Sequence, residues 1–178
     1  MKDYIVASFS GGKDSTAMVL RMIEIGEHID EVLCCDTTKE FPAMYRHIDK
    51  VRKVVEDAGI KFTMIKAEHD FDYYMLEHKP KRRNQENNHL SGFSWPSPMI
   101  RWCTRVLKLE PIAAYFKEMG KTHNIINCIG LAADEEYRLE RKHNQNSNHR
   151  HPLVEWNWTE ADCIKYCYER GYNWDGLY

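Results

Sequence analysis

The 178-residue sequence contains no apolar run approaching the ~18 residues of a membrane-spanning helix. Its start, Met1-Lys2-Asp3-Tyr4 and a short apolar stretch, lacks the length and the cleavage site of a secretory leader. A cytoplasmic protein with no membrane partner is therefore expected. The sequence also lacks any Cys-x-x-Cys pair, so its six cysteines do not spell a zinc site and are expected as free thiols in a reducing compartment. An excess of positive charge is missing too: the formal net charge is −2, which gives no global field for nucleic acid. Internal repeats and interdomain linkers are absent. At roughly 100–200 residues per domain, residues 1–178 are expected to form a single domain.

What is present is an alternation of short apolar runs and helical periods. Strands are predicted at 4–9, 31–36, 61–66 and 124–131. Helices are predicted at 14–25, 44–58, 71–76, 99–119 (broken near Pro111), 133–141 and 159–170. Residues 77–98 are polar, hold three prolines and read as a functional loop insertion; 144–150 reads as a polar loop. Strands alternating with helices imply βαβ units and a doubly wound, mostly parallel α/β sheet with helices on both faces. Ligands bind such sheets at the carboxyl ends of the strands. Cys34 and Cys35 should face opposite sides of a strand, and Cys163 and Cys167 should share a helix face.

The strongest local signal is Ser10-Gly11-Gly12-Lys13-Asp14-Ser15, between the first strand and the first helix. Two glycines let the backbone approach an anion, the free amides of the turn point at it, and the helix dipole adds attraction. A plain capped turn would explain the glycines and one serine. It would not explain Lys13, whose charge opposes the dipole in a first helical turn. Gly-x-x-x-x-Gly-Lys-Ser/Thr is excluded, because Ala7 and Asp14 stand where it needs Gly and Ser/Thr. Of two basic groups, Lys79/Lys81/Arg82/Arg83 reads as a solvated loop, and anion binding is open both for it and for Arg138/Arg141/Lys142/Arg150. Arg101, Arg105 and Lys108 fall on one helical face as a cationic stripe suited to phosphate or sulfate. Trp95 and Trp102 are loop or core anchors or stack on a base, and His149 and His151 are loop residues or metal ligands.

Ser-Gly-Gly-Lys-Asp-Ser resembles the PP-loop of the N-type ATP pyrophosphatases, the adenine nucleotide alpha-hydrolase-like superfamily. Further segments are similar to the phosphoadenosine phosphosulfate (PAPS) reductase family. They are Asp36-Thr37 with Glu40-Phe41-Pro42; Arg101-Trp102-Cys103-Thr104 with Lys108, Glu110 and Pro111; Gly130 through Asp134-Glu135 and Arg138; and Pro152-Leu153 with Trp158-Thr159 and Asp162. The resemblance spans nearly the whole chain and implies a five-stranded Rossmann-like sheet. It implies binding of an adenine nucleotide, ATP or PAPS/APS with Mg²⁺, by Ser8, Phe9, Ser10, Gly11, Gly12, Lys13, Asp14, Ser15, Asp36, Thr37, Gly130, Asp134, Glu135 and Arg138.

Under that resemblance Lys13 and Asp14 act at the phosphates, Arg105, Lys108 and Arg138 hold the acceptor or the α-phosphate, and Asp14, Asp36 and Asp134 are candidates around the metal. The leading expectation is adenylylation of an acceptor with release of pyrophosphate. The alternatives are sulfonucleotide reduction to sulfite and a nucleotide-binding subunit of a nucleic-acid thiolation or modification system. Partners implied are a thiol-donor protein or a nucleic acid, and a homo-oligomer is compatible. The sequence departs from the reductases in having no cysteine after Cys167 and a single thiol, Cys103, where the iron–sulfur members carry a pair. No iron–sulfur cluster is therefore expected, and Cys103, flanked by Arg101 and Arg105, is the remaining nucleophile candidate, or else a packed cysteine.

Overall fold

The computed structural model describes residues 1–82, 84–140 and 146–178, with Glu136 described in its backbone only. Arg83, Arg141, Lys142 and Asn144 therefore lie outside the described residues. The elements are β1 (Lys2–Phe9), α1 (Lys13–Glu24), β2 (Glu31–Asp36), α2 (Pro42–Asp57), β3 (Lys61–Lys66), α3 (Phe71–Leu76), α4 (Glu110–Met119), β4 (His123–Ile129), α5 (Glu136–Leu139), β5 (His149–Arg150), α6 (Pro152–Glu155) and α7 (Glu160–Glu169). The five strands form one sheet in the order β3-β2-β1-β4-β5. β1 runs parallel to β2 on one side, Val6 opposite Glu31, and to β4 on the other, Ser8 opposite Ile129; β5 is parallel to β4. The chain thus winds outward from β1 in both directions. Its topological switch point lies between the ends of β1 and β4, where such sheets bind ligands.

The chain divides into two compact units, one of residues 1–34, 41–63 and 119–178, the other of residues 35–40 and 64–118. In the first, Val6 and Ala7 of β1, Val32 of β2 and Cys128 of β4 are wholly buried, the unbroken apolar character of strands covered on both faces. α1 buries Ser15 through Leu20 and Met22. α2 begins with Pro42 in its first turn, where the missing N–H costs nothing, and buries His47, Ile48, Val51 and Val55 along one stripe. Cys163 and Cys167 share the buried face of α7, as expected, and burial pushes the Cys167 thiol up to about 12.

α7 starts in a reciprocal capping box. The Thr159 side chain accepts from Asp162 N, and the Asp162 carboxylate accepts from Thr159 N at 2.9 Å. Thr159→Ala is expected to lower stability by about 1 kcal/mol, read as a fall in denaturation midpoint at unchanged m-value.

The second unit is built on Phe71, Trp102 and Leu107, with Tyr74, Met75, Phe93 and Cys103 packed against them. The expected loop at 77–98 contains one 3₁₀ turn, Gln85–His89. It folds back so that Phe93 N and Ser94 N donate to the carbonyls of Tyr74 and Met75 at the end of α3. The helix expected at 99–119 differs: Thr104–Leu109 is a π-helical run, and regular α4 begins only at Glu110. Pro111 sits in the first turn of α4, so the change of hydrogen-bond register falls immediately before it. β5 and α6, elements of two and four residues, carry no readable period in the sequence.

Candidate functional site

The chain leaves β1 at Phe9 and turns through Ser10–Gly12 into α1. Gly11 has φ +80°, and a Cβ on it would stand 2.7 Å from Met44 Sδ and 3.1 Å from Ile48 Cγ1 of α2. The turn needs bare backbone on both counts. Ser15 Oγ closes it, accepting from Ser10 N at 3.2 Å and donating to the Gly12 carbonyl at 3.0 Å. Gly12 is the N-cap of α1, with no side chain capping it among the described residues, and the first helical bond runs from Thr16 N to Gly12 O. The N–H groups of Lys13, Asp14 and Ser15 precede that bond and have no helix carbonyl to donate to. From the other side of the switch point Gly130 presses in: a Cβ there would lie 2.8 Å from both N and Cα of Ser15.

The charged groups gather around this turn. Lys13 Nζ pairs with Asp14 at 3.0 Å and Glu160 at 3.1 Å. One carboxylate oxygen each from Asp14, Glu135 and Glu160 lie within 4.8 Å of one another, a donor set of hard oxygens suited to a divalent cation. Burial raises the Asp14 carboxyl, and Glu160 and Glu135 raise it further against the opposing pull of Lys13. Burial lowers the Lys13 ammonium, but Asp14 and Glu160 outweigh it and leave the group above its ordinary value. Arg138 bonds both oxygens of Glu135, at 2.6 and 2.8 Å. Asp134 accepts from Glu160 N at 3.0 Å and so tethers the first turn of α7.

Of the residues expected at the site, Ser10, Gly11, Gly12, Lys13, Asp14, Ser15, Gly130, Asp134, Glu135 and Arg138 are gathered in the first unit. The side chains of Ser8 and Phe9 are engaged within the sheet. Ser8 Oγ donates to Asn127 of β4 at 2.7 Å, and the Phe9 ring is buried edge-on to Phe62. Of the three aspartates expected around a metal, Asp14 alone belongs to the carboxylate group; Glu135 and Glu160 complete it. Asp36 and Thr37 lie in the second unit, where Asp36 accepts from Thr38 N at 2.7 Å and Thr37 Oγ1 donates to Glu40 at 2.9 Å.

The cationic stripe does not form. Arg101 precedes the helical segment and donates to the Pro98 carbonyl at 3.2 Å. Arg105 pairs with Glu110, and Lys108 stands 3.7 Å from Glu40. The π-helical winding between them breaks the spacing that the stripe assumed. Trp102 is a core residue, its indole N–H donating to Ser94 O at 2.9 Å, while Trp95 is exposed. The basic loops are partly spent on structure: Arg82 donates to Gly92 O, and Arg150 pairs with Glu27 and Glu155.

Four residues were not anticipated: Glu160, Thr16, His47 and Trp174. The Thr159 cap was legible and places the next residue in the first turn of α7, a signal that could have found Glu160. His47 of α2 bonds Thr16 Oγ1 of α1 at 2.9 Å and stacks on Trp174 at 4.5 Å. Burial pushes its imidazole down to about 4, with Lys50 adding to the effect. Below the ordinary value of 6.5 the unfolded chain takes up a proton that the folded ring refuses until about pH 4. Stability is therefore full above pH 6.5 and falls as the pH drops through that window. Urea denaturation between pH 7 and 4.5 measures the slope, and His47→Gln is expected to flatten it.

Residues 4–178 match the model of the phosphoadenosine phosphosulfate reductase domain. The chain belongs to that family. Among curated proteins, this PAPS reductase domain is 27% identical over 165 residues to the uncharacterized protein MJ0973 of Methanocaldococcus jannaschii, covering 90% of this chain and 35% of that one. It is 24% identical over 143 residues to the uncharacterized protein MJ0066 of the same organism, covering 80% and 25%. The chain thus spans about a third and a quarter of the lengths of these relatives.

Among solved structures, the U34-tRNA thiolase NcsA of Methanococcus maripaludis, with its [4Fe-4S] cluster, superposes with a TM-score of 0.53 at 15% identity, over 94% of this chain and 56% of that one. The expected parallel α/β architecture holds. The expectation of no iron–sulfur cluster is overturned as an inference: a chain of the same fold carries one, and six cysteines are present here, so the missing pair beside Cys103 does not exclude it. Cys103 itself is half-buried against the Phe71–Trp102–Leu107 cluster. No helix among the described residues is long and apolar enough to cross a membrane.

Proposed function

We propose that this PAPS reductase domain binds the phosphates of an adenine nucleotide at the N-terminal turn of α1 and transfers the adenylyl group to an acceptor, releasing pyrophosphate. The observation that carries this is the uncapped first turn of a long helix, at the switch point, with a lysine in it. The N–H groups after Gly12 would hold the β- and γ-phosphates, with Lys13 exchanging its carboxylate partners for them. An acceptor oxygen attacks the α-phosphorus; the new P–O bond forms as the bond to the β-phosphate breaks, and pyrophosphate departs with the electron pair and the negative charge. Amides and an ammonium already aimed at that charge stabilise it without reorganising, and positioning supplies the rest of the acceleration.

The test is incubation with ATP and Mg²⁺ across candidate acceptors while pyrophosphate is followed. Transfer RNA is the first acceptor to try, because the thiolase that shares the fold acts on it. Acceptor-dependent pyrophosphate release is the expected result. The competing chemistry in this family is reduction of a sulfonucleotide to sulfite, with the packed thiol of Cys103 or a thiol supplied by another protein as the nucleophile. Sulfite formed from PAPS with thioredoxin, and lost in Cys103→Ser, would displace the adenylylation reading.

A further inference from the structure

The C-terminal turn of the chain reaches the glycine loop through one buried bond. Trp174 is 2% exposed, and its indole N–H donates to the Gly11 carbonyl at 2.7 Å. A trans peptide unit is flat, with its C=O and N–H pointing in opposite directions. Gly11 C=O and Gly12 N–H belong to the same unit, so holding the carbonyl inward on Trp174 turns the Gly12 N–H outward. Among the described residues that N–H has a long contact, 3.4 Å to Ser10 Oγ, and it leads the row of amides at the start of α1 that have no helix carbonyl to donate to. We infer that Trp174 is a positioning residue for phosphate binding: its indole N–H fixes the Gly11–Gly12 peptide plane so that the loop amides face the ligand. The inference rests on the reading of this turn as a phosphate site.

The surroundings of Trp174 are built to hold the ring in place. His47 stacks on one face at 4.5 Å while bonded to Thr16, and the Tyr178 ring packs edge-on at 4.9 Å. Trp174 and Asp175 have φ of +50° and +52°, a conformation that side chains other than glycine seldom adopt. It is sustained by Arg46, which donates twice to Asp175 Oδ2, at 2.9 and 2.6 Å, and by the Asn173 side chain, which accepts from Asp175 N. A strained turn held from two sides, delivering one donor to one loop carbonyl, is the pattern of a residue kept for orientation. Packing alone would not require an N–H. An indole donor left without its acceptor, or a buried carbonyl without its donor, is costly, so the bond locks both ends.

The test replaces the donor and keeps the ring. Trp174→Phe is the simple variant. Site-specific 3-benzothienylalanine, which puts sulfur in place of the N–H at nearly unchanged volume, guards against a packing defect. ATP, pyrophosphate and adenosine are titrated by calorimetry, and amide hydrogen exchange is followed over residues 9–15. The expected result is about tenfold weaker binding of ATP and pyrophosphate, adenosine binding unchanged, and faster exchange confined to the loop. Wild-type affinities and exchange in the benzothienyl protein, or equal losses for ATP and adenosine, would overturn the inference. Faster loop exchange in a protein whose unmodified form binds neither ATP nor pyrophosphate would sustain Trp174 as the anchor of the loop and reject the phosphate reading instead.

Discussion

Lys13→Ala is expected to lower pyrophosphate release by about 10²–10³-fold, the usual cost of removing one preorganised donor from a developing charge. Lys13 lies in the first turn of α1, and in the free protein it balances the carboxylates of Asp14 at 3.0 Å and Glu160 at 3.1 Å. Its removal has a second consequence. Three carboxylates then share the turn without the ammonium that paired two of them, so the Asp14 carboxyl, raised already by burial, should rise further. The variant should accordingly lose less stability at pH 5 than at pH 7, because protonation relieves the crowding. Release at the wild-type rate in a folded Lys13→Ala protein would remove Lys13 from the chemistry.

Gly130→Ala should have the other large effect. The added methyl would meet backbone, with Ser15 N and Cα at 2.8 Å and the Asp14 carbonyl carbon at 3.0 Å. Backbone at the start of a buried helix cannot swing aside as the end of a side chain can, so β4 and α1 must separate. Overpacking of this kind costs about 1–3 kcal/mol. Because the displaced atoms carry the free amides, affinity for ATP should fall by at least about tenfold as well, a further 1.4 kcal/mol. Calorimetric titration with ATP beside urea denaturation measures both. An alanine variant with unchanged stability would mean that the close approach of β4 to α1 is not a constraint.

The parts of this fold that were legible are those with a local cause. β2, β3 and α3 fall on the residues that periodicity predicts, because alternation and helical spacing are properties of a few neighbours. The glycine turn was legible because two glycines and a misplaced lysine are anomalous within six residues. Failures begin where a distant partner decides. Trp174 bonds Gly11 across 163 positions, and no pattern near either residue announces it. Glu160 meets Lys13 because α7 packs on α1, a tertiary fact. The stripe of Arg101, Arg105 and Lys108 rested on a regular α-helix, and six π-helical residues ahead of Pro111 remove that premise. A cluster needs thiols gathered in space, which the spacing of cysteines along the chain does not report.

Whether the amides opening α1 take a chain of phosphoryl groups is read directly by backbone nuclear magnetic resonance. With the protein labelled in ¹⁵N, ATP, pyrophosphate and adenosine are added in separate titrations. The amide signals of Gly12, Lys13 and Asp14 should move strongly with ATP and with pyrophosphate and scarcely with adenosine. Saturable binding of ATP that leaves those three signals in place and moves others would contradict the claim.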